Sequence, residues 1–213
     1  MVICEPLYSQ VSIPARRLVK EDFNNMGTGT ALPANWKVTG AGEGLTAGWS
    51  APGNNAAVQQ QAGAGSPVTP GSYNWGVNAG SDRAIGFMSG AGAPGPAAVM
   101  VHYQNNTGAV LTAVSLQFQL ERYRINMANF RLLLFTSVDG SNWVAQNSGN
   151  ISAGVLLPGA AGYSFSTPST VYKSVVISGL SIAGNGSFYI KWVFISGEDN
   201  VSQGIGLDNV VLL

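Results

Sequence analysis

The sequence predicts an all-β protein in which two antiparallel sheets pack face to face as a sandwich. Three observations support this prediction. Apolar and polar residues alternate with a period of two from Val114 to Glu121, glycine- and asparagine-rich turns separate short apolar runs, and no convincing amphipathic helix can be traced. A chain of 213 residues is most simply one domain, because all-β sandwiches reach this size without dividing. We assign residues 1–18 to an N-terminal arm or edge strand and residues 19–213 to the sandwich.

The stretch from Leu111 to Trp143 organises this prediction, because it contains two long strands and the loop that closes the second. The apolar side chains of the first strand share one face and alternate with polar ones: Val114, Leu116, Phe118 and Leu120. Leu133 and Phe135 interrupt the alternation of the second strand, which indicates burial on both faces. We expect the two strands to pair through a turn at 126–129, and the second to end at the Asp139-Gly140 turn.

The segments before this stretch predict shorter strands. They cover residues 18–23, 36–38, 71–76, 82–87 and 97–104, with a hairpin turn at 105–108. Residues 39–72 form a long segment of low charge, rich in glycine, alanine and glutamine, in which short strands are expected near Trp49 and at 56–61. Loops of that length are usually functional or mobile. After the organising stretch, we expect a turn-rich excursion at 151–168 and closing strands at 172–177, 186–195 and 204–213.

The composition restricts the classes of partner. Charged residues make up 9% of the chain, against a usual share of roughly 25%. The 28 glycines are nearly double the usual share of about 7%. This composition suggests a secreted or surface protein. The formal net charge is zero, which argues against a nucleic-acid partner. No apolar run is long enough for a membrane helix, so membrane insertion is not expected.

Cys4 is the only cysteine, which excludes an internal disulfide and a thiolate metal cluster. Its place near the N-terminus leaves two interpretations open: a lipid-anchored cysteine, or an ordinary residue following a short leader or vector remnant. The segment around Cys4 lacks the apolar core of a signal peptide. If the protein is exported, we expect its targeting signal to have been removed from this sequence.

Four phrases occur in an order that resembles one family. They are EDFNNMGTGTALPANW, GSYNWG followed by SDRAIGFMSG, the organising stretch through VDGSNW, and GIGLDNVVL. Together they resemble the jelly-roll modules of bacterial secreted and cell-surface proteins and, more distantly, MAM and galactose-binding-like sandwiches. The resemblance implies an all-β, two-sheet antiparallel jelly-roll sandwich. It also implies an extracellular, non-catalytic binding or adhesion module whose partner is a polysaccharide or cell-surface glycan.

The resemblance also suggests a structural Ca²⁺ site. The first and last strands of a jelly roll often lie side by side, so Asp22, Asn24 and Asp208, with Asn209 and backbone carbonyls, could supply oxygen ligands to a hard cation. The alternative is that Asp208 caps a loop by hydrogen bonds while Asp22 is solvated.

Aromatic and charged residues suggest where a glycan would bind. Trp49 and Trp75 lie in glycine-rich segments, with Tyr73 beside Trp75, and flat sugar faces stack on exposed rings. Trp36, Trp143 and Trp192 are expected to pack under loops or in the core. The densest charge group of the chain adds the candidate ligand-binding residues Arg83, Glu121 and Arg124, with Asp82 and Arg122 beside them. Its alternative is a structural ion pair, with Arg83 joining Glu121 or Asp82 to hold a loop on the sheet.

Catalysis has weaker support in the sequence. His102 is the single histidine, and no Gly-x-Ser-x-Gly elbow accompanies it. Glycosidase chemistry needs two carboxylates about 5–10 Å apart, for which Glu121 with Asp82, or Glu198 with Asp199, are the available pairs. Three functions therefore remain: a glycan-binding module, a structural or self-associating surface domain, and a polysaccharide hydrolase or lyase. A binder predicts exposed aromatics lining a groove, and an enzyme predicts close carboxylates in a cleft, one with a raised pKa.

Overall fold

A computed structural model describes residues 10–15, 18–62, 66–197 and 202–213. Within these ranges the chain forms two stacked sheets, which confirms the predicted two-layer jelly-roll sandwich. Sheet A contains six strands in this part of the chain: β1 (Val11–Ile13), β3 (Trp36–Val38), β6 (Ala97–Asn105), β8 (Phe130–Ser137), β9 (Val144–Ala145) and β12 (Ser187–Ser196). Sheet B contains seven: β2 (Val19–Glu21), β4 (Gly71–Trp75), β5 (Ala84–Met88), β7 (Leu111–Ile125), β10 (Gly162–Tyr163), β11 (Ser169–Ile182) and β13 (Gly204–Leu212).

One large apolar cluster fills the space between the sheets. It takes alternate residues from facing strands, as a period of two requires: Leu116, Phe118 and Leu120 of β7 and Phe188, Ile190 and Trp192 of β12. Trp36 stacks on Trp192 at 5.8 Å between ring centroids, and the edge of Phe23 meets Trp36 at 4.8 Å. Trp36 and Trp192 are therefore core residues, and functional groups must be sought on the outer faces and edges of the sheets.

The predicted pairing of the two long strands is wrong. The strand β7 lies in sheet B between β13 and β11, whereas β8 lies in sheet A between β12 and β9. Residues 126–129 therefore carry the chain from one sheet to the other, and β7 and β8 face each other across the core. The expected hairpin at 105–108 is corrected for the same reason, since it joins β6 of sheet A to β7 of sheet B. Alternation shows which face of a strand is buried, but it does not show which strand lies beside it.

The strands that open and close the predicted sandwich, β2 and β13, lie side by side as expected. The strand β2 pairs antiparallel with β13, with Glu21 opposite Val210. The strand β1 lies inside the segment assigned to an arm or edge strand, and it pairs with the edge of β6 in parallel. It is the exception to an otherwise antiparallel architecture. Phe23 and Leu207 are both buried in the same apolar cluster, so the first and last phrases of the sequence are brought together.

Residues 39–55 form a loop that covers part of the outer face of sheet A. No strand forms near Trp49 or at 56–61, where short strands were expected; isolated bridges pair Ala57 with Ala31 and Gln60 with Tyr73. The ammonium of Lys191 holds this loop from below, because it donates to the carbonyl oxygens of Leu45 and Ala47, each at 3.2 Å. No helix in the described ranges is long and apolar enough to cross a bilayer. Cys4 and the Glu198-Asp199 pair lie outside the described residues.

Candidate functional site

A stack of aromatic rings stands on the outer face of sheet B. Tyr73 and Trp75 of β4 stack at 4.3 Å between centroids, and Tyr123 of β7 lies parallel to Trp75 at 5.4 Å. The indole of Trp75 reaches across the sheet because β13 carries glycine where it passes. A Cβ at Gly206 would lie 2.6 Å from the Cβ of Ala84 and 3.1 Å from the Cδ1 of Trp75. Gly206 therefore leaves the space into which the rings of Trp75 and Tyr123 pack.

The aromatic stack is covered rather than open. Trp75 is 1% exposed, and Phe165 packs on it from above at 6.1 Å. The hydroxyl of Tyr73 donates to the carbonyl of Thr69, and that of Tyr163 donates to the carbonyl of Pro67, so residues 66–70 are held over the rings. Trp75 does not offer its ring as an open stacking platform, because it is the last residue of β4 and lies under this cover. A pocket of about 270 Å³ remains at its rim.

Two carboxyl groups lie beneath the cover at the centre of the same face. Glu121 accepts hydrogen bonds from the hydroxyl of Tyr123 and from the amide of Gln119. Burial raises its pKa. Burial also raises the pKa of Asp208 to about 8, and the negative charges of Glu121, Asp82 and Asp22 add to the effect. Both carboxyls are buried, and neither lines one of the described pockets.

The two predicted arginines have structural contacts. The Arg83 guanidinium donates to the carbonyls of Val77, at 2.8 Å, and Gly80, at 2.6 Å, and is fully buried. Arg83 therefore fastens the 76–82 turn to the sheet through backbone carbonyls. The alternative ion pair with Glu121 or Asp82 is not formed; the one salt bridge found among the described residues joins Lys20 to Asp22. Arg124 is also buried, with its guanidinium 5.7 Å from the ring centre of Tyr163.

The proposed Ca²⁺ ligands fit a cation in part. Asp208 Oδ1 is buried with no hydrogen-bond partner, which is unusual for a carboxylate and suits a hard cation. The Asp22 carboxylate is already engaged, because Oδ1 accepts from the backbone amide of Asn24 at 3.3 Å and Oδ2 from the Lys20 ammonium at 3.2 Å. The Asn24 side-chain oxygen accepts from the backbone amide of Arg83. Among the described residues, no three acidic, histidine or cysteine side chains cluster as a metal site.

Trp49 lies in the loop over sheet A, and its ring does not contact sheet B. Its half-buried ring packs on the outer face of sheet A against His102 at 5.6 Å and Tyr189 at 5.7 Å, and the Lys37 ammonium lies 4.5 Å from its centre. His102 stacks on Tyr189 at 4.1 Å, and its Nε2 lies 3.0 Å from the hydroxyl of Ser187. Burial, and secondarily the charge of Lys37, lower the pKa of His102 to about 4. Trp49 therefore anchors a loop on sheet A, away from the other five predicted binding residues on sheet B.

The open part of sheet B lies at the other end of its outer face. Tyr172 of β11 is 78% exposed, and it stands opposite Gln119 of β7 in the strand register. One register row crosses four neighbouring strands there: Lys20 of β2, Val211 of β13, Gln117 of β7 and Ser174 of β11. A groove of about 640 Å³ runs over this surface. Its lining is mostly polar, with Lys173 as the one charged residue and the ring of Tyr172 at the rim.

Tyr172 was not selected from the sequence, although it belongs to a predicted strand. The signal that would have selected it is a position on a polar face. Within STVYKSVV, Tyr172 alternates with Val171 and Val175, which face the core, and it shares its face with Ser174. Five of the six predicted binding residues, Tyr73, Trp75, Arg83, Glu121 and Arg124, lie on or beside sheet B. The sequence could not reveal that residues 66–70 and the 76–82 turn cover them.

No protein-family model matches the chain, and no curated protein matches it in sequence. Solved structures of similar overall shape include two cleaved adhesin domains of Lys-gingipain and a carbohydrate-binding module. The K3 domain, from Porphyromonas gingivalis, is 16% identical with a TM-score of 0.45, over 92% of this chain and 96% of that one. The K2 domain is 15% identical with a TM-score of 0.48, over 93% and 98%. The module TmCBM27, described for mannan recognition, is 16% identical with a TM-score of 0.45, over 92% and 97%.

Proposed function

We propose that this protein is an extracellular, non-catalytic module that binds a polysaccharide on the outer face of sheet B. The observation that supports the proposal is Tyr172, the one aromatic side chain in the described residues that is mostly exposed, at the rim of a groove of about 640 Å³. A ring in that position offers its π face to the C–H edges of a sugar. At 78% exposure the ring is available to a ligand.

The polar groups around Tyr172 suit sugar hydroxyls. The Gln117 side chain is exposed with no protein hydrogen bond, so its amide can both donate and accept. Gln119 is held in place, because Asn209 donates to its oxygen at 3.2 Å and its own amide donates to Glu121 at 2.8 Å. From β13 to β11 the groove spans two inter-strand spacings, or about 10 Å. An extended glycan could therefore lie across these strands.

The two other candidate functions have less support. Glu121 and Asp208 meet the expectation of nearby carboxyls with a raised pKa, yet both side chains are buried, which keeps them out of reach of a substrate. A purely structural spacer would explain the sandwich and its covered aromatic stack, but it gives no role to the exposed ring of Tyr172 beside the exposed amide of Gln117. Low charge and glycine-rich loops agree with a position outside the cell.

The test is binding to immobilised and soluble polysaccharides by variants of Tyr172. We expect Tyr172→Ala to weaken binding by about tenfold, since aromatic contacts contribute on the order of 1 kcal/mol beyond the area they bury. Tyr172→Trp should retain binding. Val144→Ala, which removes an exposed apolar side chain from sheet A, is the matched control. Equal binding by Tyr172→Ala and the parent protein, or no binding by either, would refute this site.

We also propose that Asp208 is a ligand of a structural Ca²⁺, with Asp22 and Asn24 completing the site after their present hydrogen bonds exchange for the cation. The support is the buried and unpartnered Oδ1 of Asp208 near three other carboxyl groups. Such an ion would fasten β2 to β13 and would not touch the glycan.

A further inference from the structure

A second open cleft lies on the opposite side of Tyr172, along the flank of the sandwich. It has a volume of about 750 Å³, and its walls come from β8 of sheet A, β11 of sheet B and the 147–155 segment between them. Leu132 and Ile151 pair across a backbone bridge there, which fixes the 147–155 segment to the edge of β8. The cleft shares Tyr172 and Lys173 with the groove described above, so one bound chain could contact both.

The cationic side chains of this cleft differ from the others in the described ranges. The other six cationic side chains in the described ranges each have a partner. These are Lys20 with Asp22, Lys37 with the carbonyl of Trp49, Arg83 with turn carbonyls, Arg122 with the carbonyl of Leu157, Arg124 with Met88 and the Tyr163 ring, and Lys191 with loop carbonyls. Arg131 and Lys173 are the two for which this part of the chain provides no hydrogen bond, ion pair or ring contact. Both line the cleft, and no acidic residue does.

Two unpaired cations facing one cleft indicate a site for a negative group. No carboxylate lines the walls to neutralise them. An arginine fork matches the two oxygens of a carboxylate or sulfate, while a lysine ammonium adds a mobile point charge. The uncharged part of the walls is suited to the rest of a sugar, because Leu133 and Val171 offer apolar surface and Asn147 and Ser152 offer amide and hydroxyl groups.

We infer that the glycan bound by this module is acidic, and that Arg131 and Lys173 bind the carboxylate or sulfate of a sugar unit that stacks near Tyr172. This inference rests on the proposed function, because it assigns a chemical class to the same ligand. The groove holds the glycan across sheet B, and Arg131 and Lys173 in the cleft bind the acidic sugar unit beside β11. A neutral glycan would leave both cations without a partner.

Polygalacturonate and its fully methyl-esterified form are the most discriminating pair of probes, because they share a backbone and differ in charge. We expect the parent protein to bind polygalacturonate at least about tenfold more tightly than the ester, since charge-assisted hydrogen bonds contribute about 1.5–3 kcal/mol. The preference should shrink as salt rises. The double variant Arg131→Gln with Lys173→Gln should lose the preference and retain binding to the ester.

Lys20→Gln is the matched control, because Lys20 is an exposed cation that lines neither the groove nor the cleft and is already paired with Asp22. It should keep the preference for polygalacturonate. Sulfated dextran and alginate extend the test to other acidic sugars, and polyglutamate serves as a polyanion without sugar rings.

The outcomes separate the two proposals. Tyr172-dependent binding of neutral glycans, unchanged by the double variant and showing no preference for acidic ones, would overturn the acidic-glycan inference and leave the proposed function standing. Equal binding of polyglutamate would also overturn the inference, because it would reduce the site to simple charge attraction. Failure of every glycan, neutral and acidic, would overturn both.

Discussion

At the scale of single residues, His102 shows how burial under a loop keeps a side chain uncharged. Its ring lies between Tyr189, Trp49 and the hydroxyl of Ser187, and burial is the main cause that lowers its pKa to about 4. An ordinary histidine in an unfolded chain has a pKa near 6.5. The unfolded state therefore binds more protons than the folded state between these two values, and stability must fall as pH falls through that window.

This linkage predicts the behaviour of His102→Gln, which keeps a polar side chain that does not titrate. Between pH 7 and pH 4, the parent protein should lose on the order of 2 kcal/mol more stability than the variant, because burial of a charged imidazole opposes folding. Urea unfolding at both pH values measures the difference. The protection of backbone amides in residues 39–55 against hydrogen exchange, measured relative to the intrinsic exchange rate at each pH, should fall with acid in the parent protein alone. Identical pH dependence in the two proteins would show that the ring accepts a proton without leaving its place.

At the scale of elements, periodicity predicted which residues face the core, and it could not predict the sheet to which each strand belongs. The alternation in β7 correctly buried Leu116, Phe118 and Leu120. The partner of β7 depends on where the 126–129 connection goes, and a short polar connection fits both a hairpin and a crossing between sheets. The candidate site suffered from the same limit, because alternation does not show that residues 66–70 and Phe165 fold over Trp75 and leave Tyr172 open.

The glycines of β13 provide a test at this scale, because they explain why a tryptophan can lie across a sheet. Gly206→Ala should lower stability by about 1–3 kcal/mol, since its Cβ would press on Ala84 and Trp75 in a packed layer. The near-ultraviolet circular dichroism of the ring stack should change as well. Gly184→Ala is the matched control, because a Cβ there meets nothing within 4 Å, and its effect should stay within about 0.5 kcal/mol. Equal stability of Gly206→Ala would mean that the indole does not rest on β13.

At the scale of the whole molecule, the closure of the sandwich depends on β2 and β13, which bring the two ends of the fold together at a buried acid. With metal removed by a chelator, Asp208 has a pKa of about 8 in the folded protein, caused first by burial and then by the neighbouring carboxyls. A free aspartate has a pKa near 3.9. The folded state therefore holds a proton that the unfolded state releases, so stability should fall as pH rises from about 4 to 8.

Bound Ca²⁺ would reverse this loss, because it needs the ionised carboxylate and neutralises it without a proton. At pH 8, Ca²⁺ at about a hundred times its dissociation constant should stabilise the fold by about 2.7 kcal/mol, and the melting temperature should rise accordingly. Asp208→Asn should abolish that rise and, in chelator, should flatten the decline between pH 4 and 8. Glu43→Gln, an exposed carboxylate on the loop over sheet A, should leave both effects intact. A flattened pH profile in Asp208→Asn with no response to Ca²⁺ in the parent protein would identify Asp208 as a buried neutral acid, and the ends of the sandwich would then be held by strand pairing and the apolar core alone.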